Sequence, residues 1–352
     1  MSRRSRPPGR SAASPTVAWA AGTSGTVLRT IDGGQTWRHR PVPGAADLDF
    51  RDIEAINAET AILLSIGEGD RSRIYRTDDG GQTWELRYSN RDPAGFLDAI
   101  AFWNADRGLA LGDPVDGRFS ILTTGDGGRT WEPIAPEGMP PALPGEAAFA
   151  ASGTCLTVFG DRLSWFVTGG GAMARVFRSE DGGTSWTAHE TPVRADNASS
   201  GLFSVAFRDR DHGVAVGGDY RDPERAGGFV ALSDDGGRSW RLAPGTPPAG
   251  YRSAVAFVPG AEPPALIAVG PTGSDRSEDG GESWNPLGPP GFHAVGFAGD
   301  EAGWAVGEEG AISRFVGRGT EPGPSRRRLP SGPPTASAWS ASITNGVRPA
   351  TR

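Results

Sequence analysis

Lysine is absent from this chain of 352 residues, whose 35 basic side chains are all arginine. That removes Schiff-base and lysine-activated chemistry. Cysteine occurs once, as Cys155, so no disulfide framework and no redox pair exist within one chain. Its strand-like surroundings, Thr154-Cys155-Leu156-Thr157-Val158-Phe159, mark a buried and inert thiol. The four histidines, His39, His189, His212 and His293, are scattered with no pair at ligand spacing. Asp209-Arg210-Asp211-His212-Gly213 is too short for an EF-hand loop, and no metal is expected. No Gly-x-Gly-x-x-Gly opens a helix and no Gly-x-Ser-x-Gly elbow occurs, so neither a dinucleotide cofactor nor a hydrolase nucleophile is expected.

Long apolar runs are missing too: nothing approaches the roughly 18 residues of a membrane helix. Val17-Ala18-Trp19-Ala20-Ala21 is too short for a signal-peptide core and reads as strand. As written, the chain is expected to stay in the cytoplasm; a truncated start would instead make it periplasmic or secreted.

What is present is a repeat. Asp-Gly-Gly-x-Thr/Ser-Trp occurs six times, beginning at Asp32, Asp79, Asp126, Asp181, Asp235 and Asp279, with its Trp residues spaced 47, 47, 55, 54 and 44 apart. A period of roughly 20 to 50 residues signals units that cannot bury their apolar faces alone and must stack on neighbours. Each copy follows a short β-prone run such as Val27-Leu28-Arg29-Thr30 or Ile74-Tyr75-Arg76-Thr77. The hexapeptide is therefore a hairpin turn. Its Asp accepts hydrogen bonds from the amides that follow, its Gly pair supplies positive φ, and its Trp packs on a neighbouring sheet.

Two further strands precede each turn, as in Leu97-Asp98-Ala99-Ile100-Ala101-Phe102 and Gly108-Leu109-Ala110-Leu111-Gly112. Four nearly apolar strands per repeat fit a propeller blade covered on both faces. The predicted fold is all-β, a seven-bladed β-propeller of four-stranded antiparallel blades. The seventh unit, Phe292 to Phe315, lacks the hexapeptide, yet Trp304 to Arg314 aligns without gaps on Trp19 to Arg29. Closure must come from a terminal segment, since a propeller cannot leave its edges open, and residues 1–8 are short for that job. The expected organisation is a disordered basic segment 1–8, a propeller 9–317, and a disordered basic Pro/Gly/Ser-rich tail 318–352.

The net charge of -7 conceals an asymmetry. Arg3, Arg4, Arg6 and Arg10 sit at one end, and six Arg against Glu321 at the other, which leaves -16 on residues 11–317. Such a body repels nucleic acid and anionic membrane.

The Ser/Thr-x-Asp-Gly-Gly-x-Thr/Ser-Trp element resembles the Asp-box, or bacterial neuraminidase repeat, within the wider class of WD40- and YVTN-like propellers. Phe96 to Trp103, Leu111-Gly112-Asp113-Pro114-Val115-Asp116-Gly117 and Val216-Gly217-Gly218-Asp219-Tyr220-Arg221 are similar to bacterial single-propeller proteins related to the photosystem II assembly factor of the Ycf48 type, many of them loosely labelled oxidoreductases. This resemblance covers residues 9–317. It implies a seven-bladed binding or assembly platform, with relatives that are often exported.

The six hexapeptide Asp residues lie on a turn expected at the outer rim, and their role is structural. Ligands of propellers sit instead where inner strands and their loops converge on the central channel. Candidate binding residues there are Asp98 on an inner strand, Asp113 and Asp116 after a second strand, Glu146 before Ala147-Ala148-Phe149, and Asp219, Tyr220 and Arg221 at the corresponding loop of a later blade. Arg51 and Asp52, before an inner strand, add an ion pair or anion contact. The stretch Val216 to Phe229 spends about a dozen residues where the first unit needs Thr23-Ser24-Gly25, and loops on rigid scaffolds carry function. Turn chemistry also accounts for Asp113 and Asp219.

No complete catalytic constellation emerges. A sialidase needs an Arg triad, a Tyr nucleophile with Glu, and an acid Asp, and Tyr75, Tyr88, Tyr220 and Tyr251 do not lie in such surroundings. Xyloglucanase-like enzymes need two facing propellers, and only one is present. The expected function is a non-catalytic, monomeric scaffold binding a protein or glycan partner at its funnel face, like a photosystem II assembly factor. The alternative is a glycoside hydrolase using Asp98, Asp113 and Asp219.

Overall fold

The Asp-box hairpin forms for local reasons and then fixes the rest. In the first copy Thr36 N and Oγ1 donate to Asp32 Oδ1 and Oδ2 at 2.8 and 2.6 Å, and Gly34 N donates to Thr30 Oγ1 at 2.9 Å. The Thr36 hydroxyl and amide hold the Asp32 carboxyl down to about 2. The same bonds recur at Asp79, Asp126, Asp181, Asp235 and Asp279. Both glycines of every box have φ between +71 and +101. The second is glycine for another reason as well: a Cβ there would strike the preceding blade, Trp304 at Gly34, Ile62 at Gly128 and Trp165 at Gly237.

The computed structural model describes residues 16–297, 302–315 and 339–343. It contains seven antiparallel sheets, six of four strands and one of three among the described residues. Blade 2 is Asp49–Ala55, Ala61–Ile66, Arg73–Thr77 and Glu85–Ser89; blade 3 is Leu97–Phe102, Gly108–Val115, Arg118–Thr124 and Glu132–Pro133. Blade 4 begins at Leu156–Phe159, blade 5 at Ser200–Phe207, blade 6 at Ala254–Phe257 and blade 7 at Ala294–Phe297. Successive innermost strands touch all the way round, including blade 7 against blade 1, so the ring is closed. Second strands are mostly buried, whereas short outer strands such as Arg38–His39 are exposed. The core is therefore a set of apolar layers between blades. One layer joins Ile62, Leu64 and Ile74 of blade 2 to Ile100, Leu122 and the box Trp131 of blade 3.

Blade 1 comprises Ala18–Gly22, Val27–Thr30 and Arg38–His39, so the chain enters the ring on a second strand. The innermost strand is supplied by Trp339–Ile343, which pairs antiparallel from Ala18↔Ile343 to Gly22↔Trp339. This corrects the expectation that 318–352 is wholly a disordered tail. The buried Ala18–Gly22 edge requires ladder partners, and residues 339–343 provide them. The expected segment 1–8, and the tail residues 318–338 and 344–352, lie outside the described residues.

Neighbouring blades are also latched at the rim. Arg29, Arg76 and Arg178, on third strands, donate to the first-glycine carbonyls of the next box, Gly80, Gly127 and Gly236.

Candidate binding face

Strands two and three of each blade are joined on one face of the ring, as are consecutive blades. The Asp-boxes occupy the other, where their amides bond the loop between strands one and two, as in Gly80 N to Glu59 O and Gly127 N to Asp106 O. All nine candidate binding residues map to the loop face or to the inner strands beneath it, and the six box aspartates to the opposite rim.

The axis is occupied by the chain itself. Ser152 Oγ donates to Ser253 O of blade 6 at 2.8 Å, Thr154 Oγ1 bonds Ser204 Oγ of blade 5 at 2.7 Å, and Gly153 packs on the Asp52 carboxyl of blade 2. A segment that touches blades on opposite sides of the ring lies across its centre. This plug ends the 22-residue connection 134–155 between blades 3 and 4, and the long 55-residue Trp spacing was its sequence signal.

Bulges aim particular side chains at this centre. The inner strands of blades 2, 3 and 5 each break register by one residue, at Arg51, Asp98 and Phe203, and a bulge re-aims the extra residue. Arg51 is held by Asp49 through two bonds of 2.8 Å. Asp98 is fully buried, and neither carboxylate oxygen has a hydrogen-bond partner. The nearby Asp113 N–H is donated to Phe96 O instead. Burial, then the charge of Asp113, pushes the Asp98 carboxyl well above its usual range.

Asp52 accepts the Ile100 N–H of the next blade at 2.8 Å, and burial pushes its carboxyl up to about 7. Asp113 accepts the Ala148 N–H at 2.9 Å and is raised by burial to about 6. Asp52, Asp98 and Asp113 thus come together around Cys155, whose thiol is pushed up by burial and by all three charges.

The other candidates are committed elsewhere. Glu146 is buried and takes Arg175 in a two-pronged pair, with the Thr168 hydroxyl at 2.6 Å and the Leu143 N–H at 2.8 Å completing its shell. It rivets the long connection to blade 4. Asp219 is buried by its turn, and accepts Ser199 Oγ, Asn197 Nδ2 and Arg221 N at 2.7, 2.8 and 3.0 Å. Asp116 is an exposed turn residue at φ 52 followed by Gly117. Of the three carboxylates in the glycosidase alternative, Asp98 and Asp219 are buried, and Asp113 lines an open cleft.

The aromatic group of this face was not read from the sequence. Phe149 of the long connection stacks on Phe203 with ring centres 4.0 Å apart, Tyr251 meets Phe203 edge-on at 4.7 Å, and Tyr220 packs its edge against both phenylalanines. Tyr220 remains 45 % exposed, and Arg221 lies over its ring. Beside this group an open cleft of about 570 Å³ runs between blades 2 and 3 and the connection to blade 4, lined by Glu68, Phe96, Asp113, Pro114, Leu143 and Pro144, among others.

Among the described residues, no group of His, Cys, Asp and Glu is placed to hold a metal ion, and no helix is long and apolar enough to cross a membrane.

Residues 66–189 match the family model described as photosynthesis system II assembly factor YCF48. The fold matches the solved structure of YCF48 bound to a D1 peptide, with a TM-score of 0.61 and 18% identity over 87% of this chain and 89% of that one. YCF48 from Cyanidioschyzon merolae gives 0.61 and 19%, over 86% of this chain and 92% of that one. U3-55K gives 0.55 and 13%, over 84% and 86%. No curated protein matches the sequence. The repeats, the closed ring and the matched blades agree: the chain is a seven-bladed Asp-box propeller that resembles the photosystem II assembly factor YCF48.

Proposed function

We propose that this protein is a non-catalytic assembly scaffold that holds a segment of a protein partner on its loop face, in the manner of a photosystem II assembly factor. The observation that carries the reading is the plugged axis capped by a stacked aromatic group, with Tyr220 left exposed at 45 %. A filled axis leaves the loops of this face, rather than a central channel, to meet a ligand. An exposed tyrosine on a rigid aromatic base is the kind of anchor that dominates protein interfaces. The likeness to a YCF48 structure that contains a D1 peptide supports a polypeptide occupant. A glycan is a weaker fit, because among the described residues the face offers one exposed ring, Tyr220, where a sugar chain needs a platform of several.

The reading is tested by placing the photo-crosslinker p-benzoylphenylalanine at position 220, and separately at Leu86 on an outer strand, 52 % exposed, in the source cells. Position 220 is expected to capture a discrete polypeptide and position 86 is not. Equal capture at both positions, or turnover of aryl glycosides by the purified protein, overturns it.

A further inference from the structure

Two buried acids elsewhere in this ring are matched by arginine, and a third, Asp219, by neutral donors. Glu146 pairs with Arg175, and Asp275 of blade 6 pairs with Arg252 at 2.5 Å with both side chains almost wholly enclosed. Asp52, Asp98 and Asp113 are different: none has an ion-pair partner among the described residues, and Asp98 has no hydrogen-bond partner on either oxygen. Leaving a carboxylate desolvated without a counter-ion is costly. Asp52 and Asp98 lower that cost by holding a proton, which leaves Asp113 as the member of the group whose charge calls for a cation.

The demand faces an opening. Asp113 lines the cleft of about 570 Å³ and interacts electrostatically with the buried Asp98. The lining is mixed, with Phe96, Pro114, Leu143 and Pro144 as its apolar part and Glu68 and Glu146 beside Asp113 as its acidic part. A lining that is part apolar and part acidic matches a side chain with an aliphatic stem and a cationic head. Neither a neutral apolar residue nor an acid satisfies both ends. The net charge of -16 on residues 11–317 attracts a basic segment over longer range.

On the scaffold reading above, we infer that the cleft between blades 2 and 3 and the connection to blade 4 takes a lysine or arginine side chain of the partner segment, with Asp113 as its counter-ion. The aromatic group around Tyr220 then contacts the same segment beside that anchor.

The full-length protein, immobilised, is presented with a random decapeptide library, and the enriched peptides are measured by fluorescence anisotropy. The inference expects enrichment of Lys or Arg, and about tenfold weaker binding when that residue is replaced by norleucine. Asp113→Asn weakens the basic peptide by a similar factor and leaves the norleucine peptide unchanged. Ala94→Trp, at the exposed rim of the cleft, blocks the basic peptide without touching Asp113, so the test survives if the Asn variant misfolds. Enriched peptides without basic bias, or basic peptides indifferent to both variants, overturn the inference and leave the scaffold reading standing. A library yielding no binder at all sinks both.

Discussion

Asp52 ties its blade to the next through the Ile100 N–H, and it does so as a buried acid. Its carboxyl, moved by burial from 3.8 to about 7, holds its proton more tightly in the folded chain than in the unfolded one, by about 4 kcal/mol. Because the folded value is the higher, this stabilisation is complete below about pH 4, fades as pH rises, and is gone above about pH 7. Between about pH 5 and about pH 8 it amounts to about 2–3 kcal/mol. Asp52→Asn keeps a carbonyl oxygen to accept the Ile100 N–H and removes the titration. Urea unfolding of both proteins at the two pH values isolates the effect, since Asp98 and Asp113 titrate in both and cancel to first order. The stability of the variant relative to the parent should rise by about 2–3 kcal/mol from the acid to the alkaline condition. A relative stability that is the same at both, to within about 0.5 kcal/mol, would refute the argument that Asp52 carries an uncompensated charge.

Glu146→Gln leaves the Arg175 guanidinium buried without its counter-ion and should cost about 3–5 kcal/mol in urea unfolding, whereas Asp116→Asn, at an exposed turn, should stay within about 0.5 kcal/mol. Cys155 is fully buried, with burial pushing its thiol well up, so native protein should resist Ellman's reagent at about pH 8 and release its thiol only in denaturant; fast native labelling would show that the interface between blades 3 and 4 opens. Ending the chain after Phe315 removes the strand Trp339–Ile343 and its ladder to Ala18–Gly22, at an expected cost of about 3–5 kcal/mol from some five backbone pairings; an unchanged thermal midpoint would show that the ring closes without it.

The box and the blade count were legible because their physics spans few residues. Asp32 bonds Thr30 and Thr36, and a hexapeptide is long enough to display that. The third strand of blade 6, Gly273–Ser277, had no such display: its sequence Gly-Ser-Asp-Arg-Ser is polar, and Asp275 is tolerated inside only because Arg252 meets it from 23 residues away. The candidate site fails to read for the same reason. Glu146 and Asp219 look like free carboxylates in loops, yet Arg175 and Asn197, 29 and 22 residues distant, already occupy them. Closure by residues 339–343 was hidden because a five-residue strand inside a basic, Pro- and Gly-rich tail has no periodic signal of its own.

A repeat separates what a ring requires from what it does not. Every blade that carries the hexapeptide has the same Asp bonds and the same second glycine against the preceding blade. Those features are the minimum for stacking, because one unit cannot bury its own faces. Whatever exceeds that minimum has another cause. The excess here is not spread evenly: the 55- and 54-residue spacings, the plug, the aromatic stack and the unpaired acids all fall in blades 2 to 6 on the loop face. A plug is not needed for closure, since the terminal strand supplies that. Uncompensated buried charge works against folding rather than for it. Stability alone therefore accounts for the rim and leaves the centre of one face unexplained, which is the imbalance that the proposed binding role addresses.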